Sequence, residues 1–324
     1  MDTDRVLAFS RGDFSVLPLA SGATIWHAEA PAAGAMRLRA TAAQGADRLL
    51  LSVGVHGDET GPIELLASVL EELVAGTGGL AIDLLVVVAN LEAIALGKRF
   101  LRSDLNRLFT EPGPGGSSEA ARAAQLCRLT RAFFADAPAR RVHLDLHSTI
   151  KPSLYPCFAV LPHEPSAIES EYLEPWLALA KLQAMVFSKG RAATYSAFSA
   201  RECGATAATL ELGARGPLGE NDLASMASVA AALARMLRNG LAPPVCSTRL
   251  PRFRATREII RKHRDFQFNL AGDMPNFTSF GQGDLIARDG NEPQFALEDE
   301  ERILFPNAEV ALGARAGVMI VPVG

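Results

Sequence analysis

An imidazole and a carboxylate stand three residues apart in LLLSVGVHGDETGPIELL (49–66), as His56 and Glu59, where a continuous apolar run gives way to helical spacing. A catalytic zinc draws three side chains from His, Asp and Glu and leaves a fourth position for water or substrate, so this pair offers two of the three. Gly54, Gly57 and Gly61 let the backbone turn sharply nearby. Taken alone, the pair fits helix-capping acids beside a partly buried histidine equally well. A second segment, RRVHLDLHS, reads as a strand over 141–148, with His143, Asp145 and His147 on one face and Val142, Leu144 and Leu146 on the other. Two imidazoles and a carboxylate on one face of a buried strand are costly unless they are paired or coordinated. His147 is the better third ligand, because it lies at the C-terminal end, where ligands collect in open α/β sheets. Asp145 can accept the second ring N–H of a ligating histidine and fix its tautomer. His143 reads as a hydrogen-bonded core histidine.

Glu211 in TLELG is a carboxylate inside an apolar strand, flanked by Leu210 and Leu212, and a buried carboxylate must find a partner. Beside a water activated by a metal it serves as general base and then as general acid to the leaving nitrogen. A salt bridge at the sheet end is the competing reading. GKRFLRSDLNRLF (97–109) gathers Lys98, Arg99, Arg102, Asn106 and Arg107 around one short loop. Arginine holds a carboxylate bidentately and asparagine adds a directional hydrogen bond. Lys98 and Arg102 read as solvated basic positions.

These residues need strands to carry them. RLLLSVGV (48–55) reads as a buried strand, and Pro62 at a first helical position starts a helix running to about Ala75. AIDLLVVVAN (81–90) is a second buried strand, 117–137 a helix, and 141–148 the third strand. CFAVLP and AMVFS read as short strands on either side of a helix around Glu169 to Lys181; GATAATLELG (204–213) is a further strand, and 221–240 a long helix ending at Gly240. Continuous apolar strands alternating with helices predict an α/β layered domain with a mainly parallel sheet. LAPPV (241–245) reads as a linker and EPGPGGSS (111–118) as a flexible Gly/Pro loop. Beyond the linker come short strand-like runs punctuated by Gly, Asp, Asn and Pro, so the expected division is a catalytic domain over 1–243 and a β-rich module over 244–324.

The bulk properties narrow the function classes. The net charge of −4 over 324 residues, with no basic block, excludes a nucleic-acid footprint. No stretch approaches the roughly 20 apolar residues of a membrane span, and no signal peptide is visible, so the expected compartment is the cytoplasm. The four cysteines, Cys127, Cys157, Cys203 and Cys246, include no C-x-x-C pair and read as isolated thiols.

GVHGDETGPIE, GKRFLRSDLNRLF, HLDLHS and TLELGARGPLGENDL, in this order, resemble the succinylglutamate desuccinylase/aspartoacylase family, zinc amidohydrolases on a carboxypeptidase-like α/β domain. The tail LFPNAEVALGARAGVMI is similar to the end of the desuccinylase branch. The resemblance implies one zinc per chain on His56, Glu59 and His147, with Glu211 as the catalytic carboxylate. It implies that Arg99 polarises the scissile carbonyl and that Asn106 and Arg107 hold a substrate carboxylate. Arg201, ten residues before Glu211, matches a further carboxylate-binding arginine, and Lys151 stands where many desuccinylases carry an arginine. Cobalt or manganese also suits a His2Glu site. The implied reaction is hydrolysis of N2-succinyl-L-glutamate to succinate and L-glutamate, the last step of the arginine succinyltransferase route. Its rivals are deacylation of another small acidic N-acyl amino acid such as N-acetyl-aspartate, and a zinc carboxypeptidase. From another class comes a zinc-stabilised binding protein without turnover. Glu211 and Arg99 argue against the last, since a closed structural zinc site needs neither.

Overall fold

The computed structural model describes residues 2–17, 26–40, 47–76, 79–110, 116–135, 140–188, 192–242, 246, 248–270 and 274–323. Of the Gly/Pro loop and the linker named above, residues 111–115 and 243–245 lie outside this set. Helix α1 (Thr3–Ser10) precedes an antiparallel hairpin of β1 (Trp26–Ala32) and β2 (Ala35–Ala40). Then come β3 (Arg48–Val53), α2 (Gly61–Ala75), β4 (Asp83–Val88), the short α3 (Leu91–Ala95), α4 (Ser118–Phe134) and β5 (Arg141–Thr149). The α/β part closes with β6 (Cys157–Leu161), α5 (Ala167–Leu179), β7 (Ala184–Phe187), α6 (Tyr195–Cys203), β8 (Thr206–Ala214) and α7 (Ala227–Asn239). The described remainder is β-rich: β9 (Arg252–Ile260), β10 (Gln267–Phe268), β11 (Thr278–Phe280), β12 (Leu285–Asp289), β13 (Glu292–Phe295), β14 (Glu301–Leu304) and β15 (Arg315–Val323).

Twelve strands form one sheet in the order β1-β2-β4-β3-β5-β8-β6-β7-β9-β15-β14-β11, and β10, β12 and β13 form a small antiparallel sheet. The α/β part of the large sheet is mixed and mostly parallel, as expected from apolar strands alternating with helices. Leu49, Leu51 and Val53 pack with α1, α2, α5 and α7 on one face, while Leu50, Leu85 and Val87 pack with α4 and α6 on the other. β9 pairs in parallel with β7, and Phe158, Val186, Phe253, Phe277 and Ile320 share one apolar cluster, so the C-terminal strands extend the large sheet. No helix among the described residues is long and apolar enough to cross a membrane.

The helix expected over 221–240 begins later, at Ala227, because the Asp222 carboxylate accepts from the N–H groups of Ala224 and Ser225 and holds a 3-10 turn there. The hairpin β1–β2 and helix α6 stand where the sequence pattern carried no expectation. α6 is capped by Thr194, whose side chain accepts from Ala197, and stopped by Gly204 at φ 61°.

Parallel register delivers the site. Val53 at the end of β3 is level with Leu146 of β5, and His147 is level with Glu211 of β8, so three strand ends open onto one edge. The turn after β3 is pressed against the segment after β4. A Cβ on Gly57 would lie 2.4 Å from the backbone of Ala93 and Ile94 and 2.6 Å from the Lys98 carbonyl, and only glycine permits that approach. The Gly57 N–H donates to the Arg99 carbonyl at 3.1 Å, tying the arginine loop to the His56–Glu59 turn. Gly57→Ala is expected to lower stability by about 1–3 kcal/mol, the usual cost of overpacking a tight contact. Urea unfolding checks this, and a variant as stable as the wild type would show that the 93–98 backbone yields freely.

Candidate active site

His56 follows the end of β3, Glu59 lies in the turn entering α2, and His147 is near the end of β5; all three are buried. One ligand atom from each lies within 4.8 Å of the others. The Glu59 carboxylate bridges the imidazoles, with Oε1 2.8 Å from His56 Nδ1 and Oε2 2.8 Å from His147 Nδ1. The Ser148 N–H donates to Oε2 at 3.2 Å. Each ring turns its other nitrogen to a second carboxylate: His56 Nε2 is 3.1 Å from Asp104 Oδ1, and His147 Nε2 is 3.0 Å from Asp145 Oδ2.

The electrostatics suit a cation. Burial works against charge on His147, yet Asp145 and Glu59 outweigh it and raise the imidazole well above its ordinary value. Burial also opposes ionisation of Glu59, and the two imidazoles overcome it and hold the carboxyl well below its usual range. Asp104 is lowered in the same way, burial being outweighed by the bond from His56. Two Nδ1 atoms and a carboxylate converge while each Nε2 lies against a second carboxylate, with Arg99 Nη2 also 3.1 Å from His56 Nε2, and this is the donor set and support that a zinc-type cation takes from proteins.

Arg99 donates from Nη1 to Glu59 Oε1 at 2.8 Å, at the rim of the cluster. Glu211 is buried, paired in register beside His147, and burial pushes its carboxyl up to about 7 against the opposing pull of His147. Asn106 is buried with its Oδ1 accepting from the Tyr195 N–H at 3.0 Å, which leaves the amide NH2 as the end that donates. Arg107 is exposed, with Nη1 on the Asn106 carbonyl at 3.0 Å. Its charge lies among those of Asp104, Arg315, Arg99 and Glu258, so β9 and β15 reach this side of the site. The structure does not bring Arg201 to the cluster. The guanidinium pairs with Glu202 at 2.8 Å and donates to the Ala192 and Phe109 carbonyls at 3.4 Å, on the last turn of α6 before β8 begins. Lys151 lies just beyond β5.

Sequence reasoning passed over Asp104 and Arg215. Asp104 caps the Leu105–Arg107 turn through the Asn106 N–H at 2.9 Å and supports His56 as Asp145 supports His147. Its signal was an acid between the arginine and the Asn-Arg pair. Arg215, just past β8, pairs with Asp58 and ties the ends of β3 and β8 together across the mouth.

A mixed α/β sheet with a buried His/Glu/His cluster at its strand ends, backed by a carboxylate and rimmed by arginines, is an enzyme site that can hold a metal. The chain matches the family model described as Succinylglutamate desuccinylase/Aspartoacylase catalytic domain over residues 46–237 and the AstE/AspA barrel-sandwich hybrid domain over 248–323. It is 41% identical over 298 residues to the succinylglutamate desuccinylase of Burkholderia cenocepacia, covering 89% of this chain and 86% of that one. The solved succinylglutamate desuccinylase of Vibrio parahaemolyticus superposes with a TM-score of 0.86 at 33% identity, over 93% of this chain and 89% of its own. That of Chromobacterium violaceum gives 0.82 at 36%, over 99% and 98%. The chain belongs to the succinylglutamate desuccinylase/aspartoacylase family and is an enzyme that hydrolyses C–N amide bonds.

Behind the cluster, His143 is fully buried between Ser52 Oγ, 2.8 Å from Nε2, and Ser199 Oγ, 2.7 Å from Nδ1, with the Tyr195 ring edge-on at 4.7 Å. Burial lowers its imidazole to about 4, against the opposing charge of Asp145 and with a smaller contribution from His147. The unfolded chain therefore takes up a proton near pH 6.5 that the folded chain refuses down to about 4, and stability falls as pH drops through that window. Wild type should lose about 1–2 kcal/mol more stability than His143→Gln between pH 7.5 and 5. Urea unfolding of both proteins at equal metal content measures the difference, in which the other titrating groups cancel. Equal losses would place the pH dependence elsewhere.

Proposed function

We propose that this chain hydrolyses N2-succinyl-L-glutamate to succinate and L-glutamate in the cytoplasm, closing the arginine succinyltransferase route, with one zinc ion per chain on His56, Glu59 and His147. The observation that carries the reading is the convergence of these three side chains within 4.8 Å beside the buried Glu211. The names of the relatives support the succinyl substrate.

Zinc, when bound, supplies Lewis acidity that lowers the pKa of water towards about 7 and polarises a carbonyl. Glu211 takes the proton of the attacking water on its carboxylate and returns it to the departing amide nitrogen. Arg99 stands at the rim with its guanidinium facing the cluster and stabilises the oxyanion as charge develops. The Asn106 amide donor and the Arg107 guanidinium hold a substrate carboxylate and set the amide carbon in place. Asp104 and Asp145 keep both imidazoles turned with Nδ1 inward.

Elemental analysis with amine-release assays on N-succinyl-glutamate, N-acetyl-glutamate, N-acetyl-aspartate and N-succinyl-arginine tests the reading. Wild type should carry one zinc and favour N-succinyl-glutamate, His147→Ala should lose the zinc, and Glu211→Gln should keep it while losing about 10²–10⁴-fold in rate. Undiminished zinc in His147→Ala, or near-normal turnover in Glu211→Gln, would remove that residue from its role.

Substrate holding separates the two arginines. Arg107→Met should lower kcat/KM by about one to two decades on succinyl- and acetyl-glutamate alike, the value of a charge-assisted contact of about 1.5–3 kcal/mol. Arg201→Met, whose guanidinium is engaged elsewhere, should change it by about twofold at most. Steady-state kinetics that reversed this order would exchange the two assignments.

A further inference from the structure

A string of buried polar groups runs back from His147 under α6. His147 Nε2 meets Asp145 Oδ2 at 3.0 Å, and Asp145 Oδ1 accepts from the Ser52 hydroxyl at 2.5 Å. Ser52 Oγ is 2.8 Å from His143 Nε2, and His143 Nδ1 is 2.7 Å from Ser199 Oγ. All five side chains are buried, and Ser52, His143, Asp145 and Ser199 have no exposed surface.

Counting protons orients the string from Asp145 to His143. Ser52 has one hydroxyl proton, and Asp145 can take it only as an acceptor, so the bond to His143 must run from the ring N–H to Ser52. His143 therefore carries its proton on Nε2, and its bare Nδ1 faces the Ser199 hydroxyl, which also lies 2.9 Å from the Ser196 carbonyl. Asp145 Oδ1 is then held by Ser52, and its Oδ2 faces the His147 Nε2–H. The Nδ1 of His147 is then the nitrogen that would give up its proton to a metal, in the space it shares with His56 and Glu59.

We infer that Ser52 and His143 are positioning residues that, through Asp145, fix the tautomer and ring orientation of His147 and so raise the affinity of the cluster for its metal. The inference rests on the metal reading given above and deepens it. The two ligating rings are supported unequally. Asp104, behind His56, is partly exposed and sits on a loop, whereas Asp145 is sealed and depends on Ser52 to satisfy its second oxygen. Without the Ser52 donor the Asp145 carboxylate loses the contact that fixes its plane, and the Oδ2 that meets His147 Nε2 is free to swing away from the ring.

The probe is zinc itself, titrated against a chromophoric chelator with the full-length chain. Ser52→Ala and His143→Leu should each weaken zinc binding by about tenfold, the lower end of what outer partners of a metal ligand contribute. His143→Gln, whose amide can donate to Ser52 and accept from Ser199, should recover most of that loss. The melting temperature of each metal-free protein is followed in parallel. A lower melting temperature with an unchanged zinc Kd in Ser52→Ala and His143→Leu is the signature of a purely structural role and overturns the inference. If His143→Leu does not fold, Ser52→Ala decides alone. Absence of zinc binding by the wild type would overturn the metal reading and this inference with it, whereas wild-type binding shared unchanged by the variants overturns only this one.

Discussion

The structure turns on Glu59, a buried carboxylate that reaches two imidazoles from elements far apart in sequence. Its partner His147 lies 88 residues away, and the two meet only because β3 and β5 are adjacent and in parallel register. An unpaired carboxylate at this depth would protonate or pull water in, so each neighbour is constrained by the need to keep it ionised. The imidazoles answer its charge, the Ser148 N–H and Arg99 take further lone pairs, and Asp104 and Asp145 stabilise the imidazoles in turn. The result is an alternation of acid and base in which removal of any member exposes the next.

Such a cluster needs a rigid frame, and the sheet supplies it. The face of β5 that carries Val142, Leu144 and Leu146 packs into the larger apolar layer, which leaves His143, Asp145 and His147 no alternative but the other face. α6 covers that face, and its residues are matched to what they cover: Ser199 meets His143, Ser196 meets Thr209 of β8, and the Tyr195 N–H meets Asn106. One short helix therefore braces both the string behind His147 and the amide of Asn106 in the arginine loop. That loop is held from three sides: by Gly57 on the Arg99 carbonyl, by Asp104 on His56, and by the buried Glu119 carboxylate on the N–H groups of Leu101 and Arg102.

Much of this was legible in the sequence because periodicity reports which face a residue occupies. The alternation in RRVHLDLHS separates the polar face of β5 from its apolar face, and continuous apolar runs mark β3 and β4 as buried on both sides. The same run did not reveal what would cover the polar face. α6 is short, and its sequence YSAFSAREC mixes serine and alanine among few large apolar residues with no strong apolar stripe, so its capping by Thr194 and Gly204 speaks only once the fold is known. Asp104 escaped for a related reason. Its role depends on a bond to His56, 48 residues earlier, and no linear spacing encodes that reach. Arg201 shows the converse: spacing from Glu211 aligns it with a binding position, yet it belongs to the helix before β8, and its side chain settles on nearby carbonyls and Glu202.

The C-terminal strands complete the constraint. The sequence pattern separates them as a β-rich module, yet backbone pairing carries the catalytic sheet straight on, from β7 into β9 and then to β15, β14 and β11. Phe158, directly opposite Glu211 in the β6–β8 ladder, packs edge-on against Phe277 at 5.1 Å, so the strand that carries the buried carboxylate is backed by a residue seated in C-terminal core. On the open side, Arg315 and Glu258, paired at 3.2 Å on β15 and β9, lie within electrostatic reach of Arg107. The wall facing the arginine loop is therefore built partly from strands that follow the linker. Their placement depends on the same continuous sheet that aligns His147 with Glu211, so the position of the reacting groups and the charge at the mouth are set by one backbone ladder.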